Sequence, residues 1–316
     1  MLAYIVKRLL SIIPVLFVVS VVIFIIIHIT PGDPAATILG MEATPAQIEQ
    51  LNEELGYNRP LHEQYISWVG GVFQGDLGNS IFMKQPVTEA IQEHIGPTLS
   101  LAIFAQVIAL ILAIPFGVIA AYKRGSFTDT TLMSVSLLGM AVPSFLLGLL
   151  LMLVVGVKLQ WLPIAGYEPL SEGLIEHLKY LVLPAISLGT IQAALITRMT
   201  RSSMLDVLNL NYIKTARAKG LKEWNVLLKH AFRNAFLPIL TVIGQTFGTL
   251  VTGAVVVETI FNIPGLGQLI INSITRRDYT VIQGVVLMVT LLYVFINLLI
   301  DLLYGVVDPR VRLDRK

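Results

Sequence analysis

The residues that could do chemistry are few in this sequence, and they do not gather into a catalytic motif. The chain has no cysteine, which excludes thiolate metal sites and a cysteine nucleophile. Serine, histidine and aspartate occur, but no spacing assembles them into a nucleophilic site. The phosphate-binding pattern GxxxxGK followed by Ser or Thr is absent, so no P-loop binds a nucleotide here. We predict that the chain is not an enzyme and has no catalytic residue, metal ligand or cofactor of its own.

Charge is concentrated in one segment, residues 198–234, which is rich in lysine and arginine. The residues of this segment are compatible with a helix throughout, except at Gly220. Because glycine suits the position just after a helix end, we predict two short helices that meet at a bend. An amphipathic segment of this kind either enters a groove of a partner or lies on anionic lipid headgroups, and the pattern alone favours neither. The apolar residues that recur on roughly one side are Leu205, Leu208, Tyr212, Ala216 and Leu221.

The elements that must position this segment are transmembrane helices. Hydrophobic residues make up 55% of the chain and charged residues 13%, whereas a soluble domain carries about 25% charged residues. Mean hydropathy is +0.77. The first apolar run has a basic flank like a signal peptide, but it is too long for one, so we predict that it stays as an anchor. Six runs approach or exceed the roughly 20 residues that cross a bilayer, namely 9–29, 98–121, 132–157, 181–197, 236–257 and 281–307.

The distribution of lysine and arginine orients the chain. With the N-terminus inside, sixteen of these residues fall in cytoplasmic segments and six outside, which satisfies the positive-inside rule. We therefore predict an all-α polytopic membrane protein with six transmembrane helices and cytoplasmic N- and C-termini. In this arrangement the basic segment 198–234 is cytoplasmic.

The outside connection 30–97 carries helix signals of its own. The spacing predicts a helix with Thr44 as its N-cap, Pro45 as its first residue and Gln47 as the capping-box partner. It predicts that this helix ends at Gly56. We expect a small helical cap that serves docking or scaffolding, with a plain spacer as the alternative. Two more helices are predicted, over 60–70 and 86–95, followed by a turn at 96–97 into the second span.

A second outside connection, 258–279, combines turn residues with an apolar stretch. Pro264, Gly265 and Gly267 precede a helix-like run that ends at Ile274. We predict that this run dips toward the membrane or lies across its outer face.

Polar side chains within the apolar runs are candidates to line a transport path, because lipid-facing positions would leave polar groups unsatisfied. For each candidate, a hydrogen bond between helices is an equally good interpretation. Ionisable residues are nearly absent from the interiors of the runs, and His28, Glu258 and Asp301 lie near run ends, where capping or interfacial roles are expected. This absence favours an externally powered pump over an ion-coupled carrier. The path candidates are Gln106, Ser136, Ser144, Ser187, Gln192, Gln245 and Thr249.

Glycine and proline add two further expectations. Gly244 and Gly248 form a GxxxG pair, which we interpret as a site of close helix packing. Four prolines are predicted to kink the runs that contain them; they are Pro115, Pro143, Pro184 and Pro238.

Eight short sequence motifs, in one order over nearly the whole chain, resemble those of the permeases of bacterial ABC importers, in particular the dipeptide, oligopeptide and nickel branch. The position of the first motif resembles its position in the first of the two paired permeases of such systems. One departure is that Lys214, Thr215 and Ala216 stand where the broader importer signature has Glu-Ala-Ala, and Arg233 where it has proline. The motifs are TPGDPA (30–35), GDLG (75–78), RMTRSSMLDVL (198–208), YIKTARAKGL (212–221), HAFRNAFLPILT (230–241), ETIFNIPGLG (258–267), RRDY (276–279) and DLLYGVVDPR (301–310).

The resemblance implies a type I ABC importer permease fold and a set of partners. A paralogous permease subunit would form a heterodimer with the chain, two ATP-binding subunits would hold ATP and Mg²⁺, and an extracytoplasmic substrate-binding protein would dock outside. The chain would be a multi-pass protein of the bacterial cytoplasmic (inner) membrane, in contact with lipid and not with nucleic acid. The cytoplasmic bend would be a coupling helix that docks in an ATPase cleft through Tyr212, Thr215, Ala216, Arg217, Ala218, Lys219, Gly220 and Leu221.

The cargo that the resemblance implies is a di- or oligopeptide, with nickel, glutathione or another small solute as alternatives. Different-class alternatives are an ion-coupled secondary transporter and a membrane-embedded enzyme. The expected organisation is an N-terminal tail and first helix (1–29), an extracytoplasmic cap (30–97), a core of five helices (98–307) that includes the coupling loop (198–234), and a cytoplasmic tail (308–316).

Overall fold

The computed structural model describes residues 2–29, 36, 39, 43–54 and 56–307. Within them the chain is almost entirely helical, and the only pairing of extended residues described is an isolated bridge between Asn79 and Pro86. The TPGDPA motif at 30–35 and the predicted tail at 308–316 lie outside the described residues. The helices are α1 (Leu2–Ile29), α2 (Pro45–Glu54), α3 (Leu61–Phe73), α4 (Val87–Tyr122), α5 (Phe127–Ala141), α6 (Ser144–Lys158), α7 (Leu174–Leu208), α8 (Asn211–Ala218), α9 (Glu223–Phe261), α10 (Leu266–Arg276) and α11 (Tyr279–Val307).

Several of these helices match the thickness of a membrane. In the described part of the chain, α4, α7, α9 and α11 are long and apolar enough to cross a bilayer, and α5 with α6 makes a fifth span if the pair is one bent element. Helix α1 contributes a shorter apolar stretch, Leu10–Ile25. The prediction of an all-α membrane protein is therefore confirmed, whereas the count of six spans and the orientation of the termini stay predictions.

The bend between α5 and α6 falls at one of the four prolines predicted to kink a span. The two helix axes differ by 99°. Val142 ends α5 in an extended conformation (φ −86°, ψ 120°), and Pro143 precedes α6. Proline cannot donate a helical hydrogen bond and disfavours helical geometry in the residue before it, so the chain breaks here. Helices α4, α7 and α9 continue through the other three prolines, Pro115, Pro184 and Pro238.

Helix α4 shows that the predicted entry into the second span was wrong. A helix over 86–95 and a turn at 96–97 were expected, but α4 continues through both without interruption. An interior proline such as Pro97 costs a helix about 3 kcal/mol or more. Buried apolar side chains lie on both sides of that proline, among them Ile91 (2% exposed) and Leu101 (0%). Their burial offsets the proline, an effect that no local signal reveals.

One compact unit of the chain comprises residues 97–264 and the C-terminal part of α11 from Phe295. Its core is rich in alanine, which lets helix backbones approach closely. A Cβ at Gly189 in α7 would lie 2.7 Å from the carbonyl oxygen of Ala105 in α4. The buried cluster that joins α4, α7, α8 and α9 includes Ala109, Ala113, Ile196, Met204, Ile213, Leu227, Ala231 and Ile239.

The GxxxG pair in α9 supports close packing at its first glycine. A Cβ at Gly244 would lie 2.5 Å from the side chain of Ile300 in α11. The packing interpretation is therefore confirmed for Gly244, where the neighbour is a branched side chain and not another helix backbone.

The other compact unit comprises the described residues of 3–96 together with 265–294. A hydrogen bond of 2.6 Å from Ser80 Oγ to Asp278 Oδ2 is buried within it. The predicted apolar run of the second outside connection is helix α10. The core of this unit is formed by the first turns of α4, by α10 and by the first turns of α11, through Val87, Ala90, Ile91, Leu266, Leu269, Val281 and Val285.

The capping box predicted for the outside cap is present. The backbone N–H of Thr44 donates to Gln47 Oε1 (2.9 Å), and the N–H of Gln47 donates to Thr44 Oγ1 (3.4 Å). Helix α2 follows directly, and Gly56 comes after it with φ +74°. The second cap helix, predicted over 60–70, is α3, which extends to Phe73.

Candidate functional site

The predicted cytoplasmic bend is built around helix α8, and we call residues 209–225 the knuckle. Helix α8 ends in the turn expected of a Schellman motif: the N–H of Gly220 donates to the Arg217 carbonyl (2.9 Å) and the N–H of Leu221 to the Ala216 carbonyl (3.4 Å). Gly220 has φ +78°, and a Cβ there would meet nothing within 4 Å. The left-handed backbone, and not lack of space, therefore favours glycine, and the predicted helix stop at Gly220 is confirmed.

The knuckle has a buried base. Ile213 (0% exposed) and Ala216 (8%) enter the cluster that joins α4, α7, α8 and α9. The predicted apolar stripe was partly wrong, because Tyr212 and Leu221 stay 41% and 40% exposed. The prediction placed a bend at Gly220 alone, whereas α7 already ends at Leu208 and α8 begins three residues later, so residues on the two sides of that earlier break do not share a face.

Polar contacts join α8 to the start of α9. The Tyr212 hydroxyl donates to the His230 carbonyl (3.3 Å) and accepts from Asn234 Nδ2 (2.9 Å). Arg217 Nη2 lies 2.6 Å from Glu223 Oε1, and this hydrogen-bonded carboxylate raises the pKa of the Arg217 guanidinium. Because both the buried residues and the polar side chains of the knuckle contact α9, a force on the knuckle would be transmitted to that helix.

The outer side of the knuckle exposes apolar and basic side chains together. Leu210 (49% exposed) and Trp224 (61%) stand beside Tyr212 and Leu221 in the sequence of the knuckle. The remaining predicted docking residues on it, Thr215, Arg217, Ala218 and Lys219, are exposed as well. Apolar groups left open next to cations suit insertion into a protein groove whose rim is acidic.

A polar cavity of about 740 Å³ lies between α7 and α9. Three of the predicted path residues line it, Gln192, Gln245 and Thr249. A fourth, Gln106, accepts a hydrogen bond of 3.3 Å from the Thr246 hydroxyl, and Thr246 lines the cavity too. The structure thus brings three of the seven candidates to the cavity, whereas Gln106 makes a hydrogen bond between helices, the competing interpretation.

Two of the other three path candidates, Ser136 and Ser187, make hydrogen bonds within or between helices, which was the competing interpretation. Ser136 Oγ donates to the Leu132 carbonyl of its own helix. Ser187 Oγ donates to the Ser144 carbonyl and so links α7 to α6. None of these three lines the polar cavity.

An ion pair that the sequence did not reveal lies beside the cavity. Arg201 on α7 makes two hydrogen bonds of 2.7 Å to Asp129 in the first turn of α5. The Asp129 side chain is 6% exposed and also accepts from the Gly125 N–H (2.9 Å). Arg201 lines the cavity together with Arg198. The two partners are 72 residues apart, so no spacing rule connects them.

The ionisable residues expected near span ends have different surroundings. Glu258 lies near the end of α9, where it is fully buried and accepts a hydrogen bond of 2.6 Å from the Thr98 hydroxyl; the expected capping or interfacial role stays a prediction. His28 contacts the Phe24 carbonyl and the Gln64 side chain. The side chain of Asp301 lies outside the described residues. Within the described chain, no three His, Asp or Glu side chains converge on a possible metal position.

Comparisons with known proteins agree on one family. The family described as "Binding-protein-dependent transport system inner membrane component" matches residues 113–313, and the corresponding N-terminal family matches residues 1–102. A putative peptide transport system permease protein of Brucella abortus (strain 2308) is 45% identical over 99% of this chain and 100% of its own length. A probable peptide ABC transporter permease protein of Sinorhizobium fredii is 41% identical over 98% and 99%.

A relative with a different stated cargo is equally similar. The glutathione transport system permease protein GsiC of Escherichia coli (strain K12) is 42% identical over 99% of both chains. Among solved structures, a chain of the inward-facing MetNI methionine ABC transporter matches 69% of this chain and 96% of its own, with a TM-score of 0.59 and 18% identity. That likeness supports the fold of the core.

Proposed function

This chain belongs to the family of binding-protein-dependent transport system inner membrane components, and we propose that it is the permease subunit of an ABC importer that forms, with a paralogous permease, a path for di- or oligopeptides. It is a multi-pass protein of the bacterial inner membrane. Two ATP-binding subunits would supply the energy, and an extracytoplasmic binding protein would deliver the cargo. The chain itself would be non-catalytic, with ATP and Mg²⁺ held by the ATPases.

The observation that carries this proposal is the knuckle. Its base is buried through Ile213 and Ala216, while Leu221 and Trp224 are left exposed beside basic residues. A short helix seated in this way can receive a push from a soluble partner and pass it to α9 without unfolding. The alternative, a helix lying on lipid headgroups, would need an apolar side of α8 free to face the membrane, whereas Ile213 and Ala216 are buried in the core.

The peptide cargo is supported by the names of relatives, and glutathione by another relative of equal similarity. Glutathione is itself a small peptide, so both fit a path lined by amide and hydroxyl side chains such as Gln192, Gln245 and Thr249. Nickel or another small solute is a further alternative, and the direct test is to identify the ligand of the partner binding protein.

Reconstitution distinguishes this proposal from an ion-coupled carrier. Proteoliposomes would contain the chain and its paralogous permease, with or without the two ATPases and the binding protein. We expect peptide uptake only in the complete set with ATP. Uptake by the permeases alone, driven by a proton or sodium gradient, would contradict the proposal.

The coupling role of the knuckle has its own test, the substitution Gly220→Pro. Proline cannot adopt φ +78° and removes the N–H that donates to the Arg217 carbonyl. We expect normal membrane insertion, with ATP hydrolysis no longer linked to uptake. Insertion is measured by membrane fractionation, and coupling by the ratio of peptide imported to ATP hydrolysed; a normal ratio would refute the assignment.

A further inference from the structure

The polar cavity between α7 and α9 is walled by two helical stripes. On α7 the lining residues recur at the three- and four-residue spacing of one helix face, from Gln192 through Arg198 to Ser202, and on α9 they recur from Val242 to Thr249. Among the residues that the structure describes, the only ionisable side chains that line it are Arg198 and Arg201. The charged groups of the cavity wall are therefore both cationic.

The two arginines differ in their surroundings. Arg201 is neutralised by Asp129 through two hydrogen bonds of 2.7 Å each. Arg198 is exposed, and among the residues that the structure describes it has no ion pair or hydrogen bond from its side chain. One cation in the cavity thus lacks a counter-charge within the described chain.

Gln192 also lines the cavity, but its Oε1 atom is buried, and within the described residues neither it nor the buried Nε2 atom of Gln106 has a hydrogen-bond partner. Of these two amide atoms one accepts and the other donates, so their lack of partners does not require a ligand from outside. Because Gln192 Oε1 is enclosed, the exposed Arg198 side chain is the group that can meet a ligand in the cavity.

We propose that Arg198 is a specificity-determining residue of the transport path, which pairs with a carboxylate of the cargo. This inference rests on the proposed function and names the recognition chemistry of the same path. Arginine binds carboxylates through two parallel hydrogen bonds, so it favours cargo with a free carboxylate over the neutral amide. Arg201 is less suited to this role, because two hydrogen bonds to Asp129 already neutralise its charge.

The charge of the cavity is tested without any transport. The chain has no cysteine, so Thr249→Cys places a single thiol on this chain at a cavity-lining position. In the assembled importer, with its partner subunits cysteine-free, the thiol is labelled by a negatively charged and by a positively charged methanethiosulfonate. Because both reagents react with the thiolate, the ratio of the two labelling rates does not depend on the fraction of the thiol that is ionised. We expect the ratio to favour the anionic reagent, and Arg198→Gln to lower it roughly fivefold.

Arg233→Gln is the matched control, because Arg233 is exposed, lies in the same basic segment and does not line the cavity. It removes the same net charge and should leave the labelling ratio within about twofold of the parent. An equal drop in the two variants, or no drop in Arg198→Gln, would overturn the claim that Arg198 sets the charge of the cavity.

The role toward cargo is tested by uptake of trialanine into proteoliposomes at saturating binding protein. We expect Arg198→Gln to lower the amount of trialanine imported per ATP hydrolysed by roughly tenfold, which is the size of effect that loss of one charge-assisted hydrogen bond produces. Arg198→Lys keeps the charge and should retain most uptake. Unchanged uptake in Arg198→Gln would refute the inference while leaving the proposed function intact; absence of ATP-driven uptake in the parent would instead refute the proposed function.

Discussion

The knuckle and the polar cavity are held in place by bonds of different range. In the knuckle, the ion pair joins Arg217 and Glu223, six residues apart. Beside the cavity, the ion pair joins Arg201 and Asp129, 72 residues apart. The proposed docking element is thus determined locally, whereas the proposed path depends on the assembled bundle. Changes beside the cavity should therefore destabilise the fold, and changes in the knuckle should leave the fold intact and affect coupling.

The largest expected effect comes from breaking the long-range ion pair with Asp129→Ala. The Arg201 side chain is only 26% exposed, and removal of one partner leaves its charge poorly compensated. Loss of hydrogen bonds to a charged group costs about 1.5–3 kcal/mol. We expect a clear fall in the thermal unfolding temperature of the purified protein in detergent, measured by the fluorescence of its tryptophans.

A second ion pair on α7 supplies the control. Lys179 and Glu176 lie 2.6 Å apart but are 47% and 52% exposed, and solvent screens such a pair to about 0–1 kcal/mol. Lys179→Ala should therefore barely change the unfolding temperature. Equal shifts in the two variants would mean that the buried pair has no special part in the bundle.

The same distinction of range explains what the sequence could predict. The capping box at Thr44 and the helix stop at Gly220 depend on neighbouring residues, and the structure confirms both. The apolar runs also depend on neighbouring residues, and in the described part of the chain four of the six lie in helices long and apolar enough to cross a membrane, or five if α5 and α6 form one span. The continuation of α4 through Pro97 and the burial of Glu258 depend on residues far along the chain. One sequence contains no signal for such pairs, because their members become neighbours only after the helices have packed.

The cavity candidates show the limit most clearly. Polarity alone singled out seven residues, of which Gln192, Gln245 and Thr249 line the cavity. Ser187 bonds to a backbone carbonyl of α6. A hydroxyl can satisfy itself on a nearby helical carbonyl, but a glutamine amide has too many donors and acceptors for that, and the amides are the side chains that a polar path would retain.

A smaller loss of stability is expected from Gly189→Ala, which tests the close approach of α4 and α7. The new methyl group would lie 2.7 Å from the Ala105 carbonyl oxygen, a backbone atom that cannot rotate away. The helices must separate, at about 1–3 kcal/mol. Gly253→Ala in α9 is the matched control, since nothing lies within 4 Å of its Cβ position. Thermal unfolding should distinguish the two; an equally stable Gly189→Ala variant would show that the bundle tolerates a wider spacing.

Gly220→Ala addresses the local side of the comparison with a milder change than proline. An alanine at φ +78° costs about 1–2 kcal/mol. Gly125→Ala imposes the same strain at φ +75° with equally open space, away from the knuckle. We expect similar unfolding temperatures for the two variants, but a lower yield of transported peptide per ATP only in Gly220→Ala. Equal coupling in the pair would separate the knuckle from force transmission.

The smallest expected effect is in the outside cap, where Thr44→Ala removes the N-cap of α2. The Thr44 hydroxyl accepts the Gln47 N–H at 3.4 Å, and loss of such a cap costs about 1 kcal/mol. Because the motif is local, hydrogen exchange should quicken in the amides of α2 and stay unchanged in α4 and α7. Thr44→Ser keeps the hydroxyl and should restore slow exchange. If exchange quickened in α7 as well, the cap would be coupled to the cavity wall, and the division between locally and distantly determined regions would fail.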